Sequence, residues 1–304
     1  MIWLLVMVAL PVFAQTRVGF NPTGMWSAMY HEDVLERTDP GSPVGDYLGL
    51  PINDEARLRG DTWDADLISV PEHQCIPHSA IYAMRAPSNL KISTIDDPAT
   101  GQIVAFLIDG TYTGPRTIWM DGRSRPSQFA GHTFAGFSTG AWEGDTLRVE
   151  TTHIKAGYLR RNGIAFSDQA SLTEFWDLQD KYLTLTSVAE DPVYLTEPLV
   201  RSESWVWNPY QVFQPIAGYG ACQPHPELPQ PAGWVPHHLP GTNQIVREFS
   251  EQYGIPLEAA RGGAETMYPE YQKKLKQMTI PRPKVFDTKF EREHPPGHSG
   301  EKKP

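Results

Sequence analysis

The sequence predicts a mainly β fold, an antiparallel meander forming a barrel or a strongly curved sheet, with short helices before and after it. Three observations predict it. Segments in which apolar and polar residues alternate follow one another from Leu90 to Asn208, the period-two pattern of half-buried strands. Short Gly- and Asp-containing turn sequences separate those segments. The chain also carries 25 Gly and 28 Pro in 304 residues, which suits many turns and irregular connections better than long helices.

Taken in order, residues 1–14 read as an export signal and 15–89 as an N-terminal wrap containing one short helix. In that wrap Asn53 can cap a helix running to about Trp63, because its side chain can accept from the first turn and Asp54 and Glu55 favour the positive end of the helix dipole. The β domain spans 90–208. Lys91–Ile95 and Gln102–Ile108 flank a turn at residues 97–101, and Arg116–Met120 runs into Asp121-Gly122, a dipeptide favoured where a hairpin needs positive φ. Phe134–Trp142 and Thr146–Ile154 flank Glu143-Gly144-Asp145, Ser171–Leu178 and Tyr182–Ala189 flank Gln179-Asp180-Lys181, and Leu199–Trp207 completes seven or eight strands. Strands joined in order fit a closed meander better than a Greek-key sandwich, and closure removes exposed edges. Residues 209–280 form a Pro-rich segment followed by helices expected to pack on the β domain, the first over Asn243–Tyr253 and stopped by Gly254. Residues 281–304 are charged and Pro-rich, a composition that predicts disorder.

The totals exclude several partners. A formal net charge of −10 argues against nucleic acid, whose phosphates require clustered Lys and Arg, and against docking on an anionic membrane. Met1–Ala14 is an uninterrupted apolar run ending Val12-Phe13-Ala14, small enough at the last positions for signal peptidase, with cleavage placed after Ala14. As a helix it would reach about 21 Å, short of the ~30 Å hydrocarbon core, so an integral membrane anchor is not expected. The predicted location is therefore periplasmic or secreted. An oxidising compartment permits a disulfide between the two cysteines, Cys75 and Cys222, worth about 5 kcal/mol by loop closure; two free buried thiols are the alternative.

Chemistry-bearing residues are sparse. His73-x-Cys75-x-x-His78 is the tightest group of soft ligands, and imidazole and thiolate at that spacing can hold Zn or Cu, although no cofactor is predicted as the first reading. His237-His238 lies between prolines on an extended segment, where neighbouring side chains point opposite ways, so at most one faces a given site. Arg160 and Arg161 beside Asn162-Gly163 can clamp a carboxylate or phosphate. Ser167, Asp168 and Glu174 with His153 hold the residue types of a nucleophile–base–orienter set, with no Gly-x-Ser-x-Gly to support it. Gly24-Met25-Trp26 is similar to the Gly-x-Trp that opens the first strand of lipocalins, where the Trp plugs one end of the barrel. That makes the predicted barrel lipocalin-like, or calycin-type.

Longer motifs run through the chain: GDYLGLPIN at Gly45–Asn53, RTIWMDGR at Arg116–Arg123, WEGDTLRVETTHIK at Trp142–Lys155, DPVYLTEPLVR at Asp191–Arg201 and VPHHLPGTN at Val235–Asn243. Together with YHED, PEHQC, GYLRRNG and RGGAETMYPEY, they resemble a large family of secreted bacterial proteins abundant in acidobacteria and some proteobacteria. The resemblance implies export and supplies neither a mechanism nor catalytic residues.

Three functions remain open at this level. The first is binding of a small, mainly apolar molecule in the β cavity, with a polar mouth built from His132, His153, Arg160 and Arg161. The second is a metal-dependent or acid–base enzyme using His73, His78 and His153. The third is a structural protein whose C-terminal segment docks on an envelope partner.

Overall fold

Alternation is strongest in β9 (Ser171–Gln179), β10 (Tyr182–Glu190) and β11 (Leu199–Trp207), and these pair along their full lengths as an antiparallel run. The computed structural model describes residues 21–29, 42–64, 74–83, 89–110, 115–211 and 229–278. The segment read as an export signal at 1–14, the tail read as disordered at 281–304, His73 and Cys222 lie outside the described residues. Nine strands close a barrel in the order β1, β11, β10, β9, β6, β5, β4, β3, β2, which makes the fold mainly β and lipocalin-like as the sequence predicts. The remaining strands of the barrel are β1 (Gly24–Ala28), β2 (Leu90–Asp96), β3 (Ile103–Gly110), β4 (Arg116–Trp119), β5 (Phe137–Glu143) and β6 (Thr146–Thr152). β7 (Gly157–Arg160) and β8 (Ile164–Phe166) form a separate two-stranded sheet.

Three features depart from the sequence reading. The closing strand, β1, lies inside the segment read as a surface wrap: Trp26 stands opposite Trp207 on one side and Leu90 on the other. At five residues it is too short for alternation to announce it, and the Gly-x-Trp tripeptide was its only mark. Asp121-Gly122 closes no hairpin, because β4 pairs with β5 in parallel. The chain crosses the barrel's length between them, and Asp121 instead accepts from Arg123 Nε at 2.9 Å while the Arg123 guanidinium covers the Trp119 ring at 3.3 Å. Finally, the C-terminal helices pack largely on residues 43–63, touching the β domain through Tyr158. Val246 joins Val44 and Trp63 in a small core, Asn243 donates to the Asp61 and Trp63 carbonyls, and Tyr47 N donates to the Ala260 carbonyl.

Two apolar clusters fill the molecule. Inside the barrel Trp26, Phe106, Ile118, Leu147, Trp176 and Trp205 are buried together, with the Trp176 and Trp205 rings stacked at 6.0 Å. A second cluster caps the end where β9 starts and β10 finishes: Leu172 and Ala189 meet Tyr47, Ile52, Leu159 and Phe166 from outside the barrel. Between the clusters runs a buried polar belt. Arg116 forms a two-pronged ion pair with Glu174, Nη1 to Oε1 at 2.8 Å and Nη2 to Oε2, and also donates from Nε to Ser138 Oγ at 3.1 Å and from Nη2 to Thr151 Oγ1 at 2.7 Å.

The cap is held by α1 (Asp54–Asp61), whose N-cap Asn53 accepts from Ala56 N at 3.0 Å, as the sequence predicts. Only Ala56 and Gly60 are buried on this helix, and the missing side chain at Gly60 lets Tyr47 and Ile164 close on its backbone. Tyr47 donates its hydroxyl to Asp61 Oδ1 at 3.1 Å, and Arg261 pairs with the same carboxylate. Burial first, and the Asp61 charge second, push the Tyr47 hydroxyl far above the usual tyrosine range. A raised folded value leaves stability intact while the unfolded tyrosine is neutral and erodes it once that tyrosine ionises. Urea titrations should therefore show stability level to about pH 10 and falling by about 1.4 kcal/mol per unit beyond it. Tyr47→Phe should flatten that alkaline limb at a neutral-pH cost of about 1–2 kcal/mol for the lost hydrogen bond. An unchanged limb in the variant assigns the alkaline loss to another group.

Candidate functional site

The sequence-predicted residues do not converge. His132 and His153 stand together, ring centroids 5.2 Å apart, beside the parallel bridge between Thr133 and Ile154. Both imidazoles are anchored: His132 Nδ1 lies 3.2 Å from the Ile154 carbonyl, while His153 reaches Thr152 Oγ1 through Nδ1 and the Ser127 carbonyl through Nε2, each at 2.9 Å. Among the described residues no hydrogen bond or ion pair joins them to the arginines. Arg160 turns to the N-terminal segment, donating to the Asp46 carbonyl at 3.0 Å, and burial lowers the Arg161 guanidinium below its usual range. Of the four residues read as one polar mouth, the structure brings His132 and His153 together and ties Arg160 to Asp46.

The nucleophile–base–orienter set is likewise unassembled. Glu174 is inside the barrel with Arg116, and Ser167 donates to Asp191 at 2.7 Å. His78 is buried against the Tyr82 ring, 4.3 Å between centroids. Among the described residues no group of three or more His, Cys, Asp or Glu is placed to hold a metal ion, and His73 lies outside them.

What the fold does build is a cleft of about 780 Å³ on the flank of the capped end, between the last turn of α1, the β7–β8 hairpin and a strap at residues 236–240. Its floor is aromatic. Trp63 and Tyr158 meet edge to face at 6.3 Å, tied by Trp63 Nε1 donating to the Tyr158 hydroxyl at 3.2 Å, with Phe166 and Tyr194 beside them. Leu58, Arg59, Asp168 and His237 stand at its rim. The neighbouring histidines do point opposite ways: His237 lines the cleft while His238 pins the strap, its Nε2 2.8 Å from Asp64 and its backbone N–H on the Thr62 carbonyl.

Chemically this is a concave, mostly apolar site with a few fixed polar groups, the usual form and size of a small-molecule pocket. Sequence reasoning missed it because its walls come from residues 58–63, 156–168, 194 and 237–240, which only the fold unites. The available signals were the Asn162-Gly163 turn and the His237-His238 pair.

The class is therefore a closed, lipocalin-like β-barrel with a lateral cleft. No protein-family model and no curated protein matches the chain. Among solved structures it is similar to the crystal structure of the wild-type fluorescent protein UnaG, at 11% identity over 61% of this chain and 96% of that one, with a TM-score of 0.27. That likeness is too loose to carry any inference, and the barrel assignment rests on the strand pairings. No described helix is long and apolar enough to cross a membrane.

Proposed function

We propose that this is an exported binding protein that holds a small, mainly apolar molecule in the lateral cleft, with Cys75 bridged to Cys222. The observation that carries the reading is the cleft itself: aromatic rings fixed in a concave site beside exposed rim groups, Arg59 and Asp168, that have no ion-pair partner among the described residues. The barrel interior fits the role less well, since its buried tryptophans pack against each other. Export rests on the apolar run at Met1–Ala14, and the bridge on Cys75 having no free thiol in a chain with two cysteines.

Leu58 tests the site because it is 47% exposed at the rim, so Leu58→Trp fills the cleft without disturbing a core. Saturation-transfer NMR with indole as probe should show binding to the native protein and at least about tenfold weaker binding to the variant, at equal melting temperature. Equal binding by both would place the site elsewhere. Mass spectrometry of protein recovered from its producing cells should give a chain starting at Gln15 and two protons lighter than the dithiol. A retained Met1 would remove export, and a dithiol mass the bridge.

A further inference from the structure

The rim of the cleft carries charges of both signs that the protein leaves unspent, and we infer from them that the ligand is a zwitterion with an apolar side chain, an amino acid or short peptide. The inference rests on the binding reading above and adds the chemical class of the ligand.

Arg59 lies in the last turn of α1 with its guanidinium 5.6 Å over the Tyr194 ring and has no carboxylate partner among the described residues. Asp168, exposed just beyond β8, lines the same cleft and likewise has no ion-pair partner among the described residues. Its position is set by its neighbour: Ser167 binds Asp191 through both its backbone N–H, at 2.6 Å, and its hydroxyl, at 2.7 Å. His237 faces the same space from the strap that His238 pins down. Arg59 and Asp168 line one cleft and do not pair with each other, so each is open to a ligand group of opposite sign.

The alternatives satisfy only part of this rim. A plain aromatic or fatty carboxylate would pair with Arg59 and leave the exposed carboxylate of Asp168 unanswered beside its own negative charge. It would also approach against a chain of net charge −10. A lipophilic amine has the mirror defect at Arg59. A zwitterion answers both charges, carries no net charge to be repelled, and lays its side chain on the floor of Trp63, Tyr158 and Phe166. The volume of about 780 Å³ leaves room for more than one residue.

The test uses the dipeptide Ala-Phe, its N-acetyl form, its C-terminal amide and the doubly blocked compound, titrated into the full-length processed protein by calorimetry. The expected result is that each block weakens binding by about tenfold or more, as for loss of one charge-assisted hydrogen bond. Asp168→Asn should erase the penalty of the acetyl group while leaving that of the amide. Arg59→Gln should do the reverse. If the doubly blocked dipeptide binds as well as the free one, the zwitterion assignment falls while the cleft stands. If neither the dipeptides nor indole bind, both fall. If Ala-Phe binds but neither variant changes the pattern of penalties, its charges are read elsewhere and this assignment of Arg59 and Asp168 is wrong.

Discussion

Glu174→Gln should destabilise the protein by about 3–5 kcal/mol, the largest loss expected from any isosteric change in the chain. Arg116 and Glu174 are 3% and 0% exposed, so neither can turn to water when its partner is neutralised. Arg116 spends its Nε and Nη groups on Ser138, Thr151 and both Glu174 oxygens, and Ser138 and Thr151 bond each other at 2.9 Å. Removing the negative charge leaves a guanidinium stranded inside the barrel with its donors only partly met. At roughly 2–4 °C per kcal/mol for a domain of this size, the melting temperature should fall by about 6–20 °C. The pair need not itself be strongly stabilising, because desolvating two ions offsets much of their attraction. Hence Arg116→Met/Glu174→Leu should recover most of the loss, and a thermal-melting double-mutant cycle would display that asymmetry. Additive losses in the double variant would mean that the belt contributes through packing and not through charge.

The belt also marks the limit of what could be read in advance. In Ser171–Gln179 the alternation that identifies a strand puts Leu172, Glu174, Trp176 and Leu178 on one side, so the parity that predicts an apolar face also predicts a buried carboxylate. What parity cannot say is which cation meets it, because Arg116 lies 58 positions earlier, at the start of a strand where a polar residue looks ordinary. The barrel was legible because its long hairpins are local: β9–β10 and β5–β6 turn through two residues each, with Asp180 and Gly144 supplying positive φ. Closure by β1 and the parallel β4–β5 pair were not legible, since both depend on segments brought together across the whole molecule. The cleft belongs to the same class. Arg160, which looked like half of a clamp from its adjacency to Arg161, serves the junction with the N-terminal segment, whereas Arg59, on the helix capped by Asn53, lines the cleft.

Gly163→Ala should be the most damaging single-carbon addition at the site, and its comparison with Gly144→Ala separates backbone strain from packing. Both glycines sit at positive φ, +87° and +67°, in two-stranded turns. A Cβ at Gly144 meets nothing within 4 Å, so that substitution should cost only the left-handed backbone term, about 1–2 kcal/mol. A Cβ at Gly163 would lie 2.3 Å from Trp63 Cβ and 3.1 Å from Gly60 Cα, so the hairpin tip must lift from α1. Overpacking of that kind adds about 1–3 kcal/mol, for a total of about 2–5. Because Trp63 and the β7–β8 hairpin both line the cleft, the same displacement should weaken indole binding by about tenfold or more, while Gly144→Ala, at the other end of the barrel, leaves it unchanged. Chemical denaturation and the indole titration read the two consequences separately. Equal stability losses at the two positions would show that the hairpin yields without strain, and intact binding in a destabilised Gly163→Ala would show that the contact with Trp63 holds the fold together but does not shape the cleft.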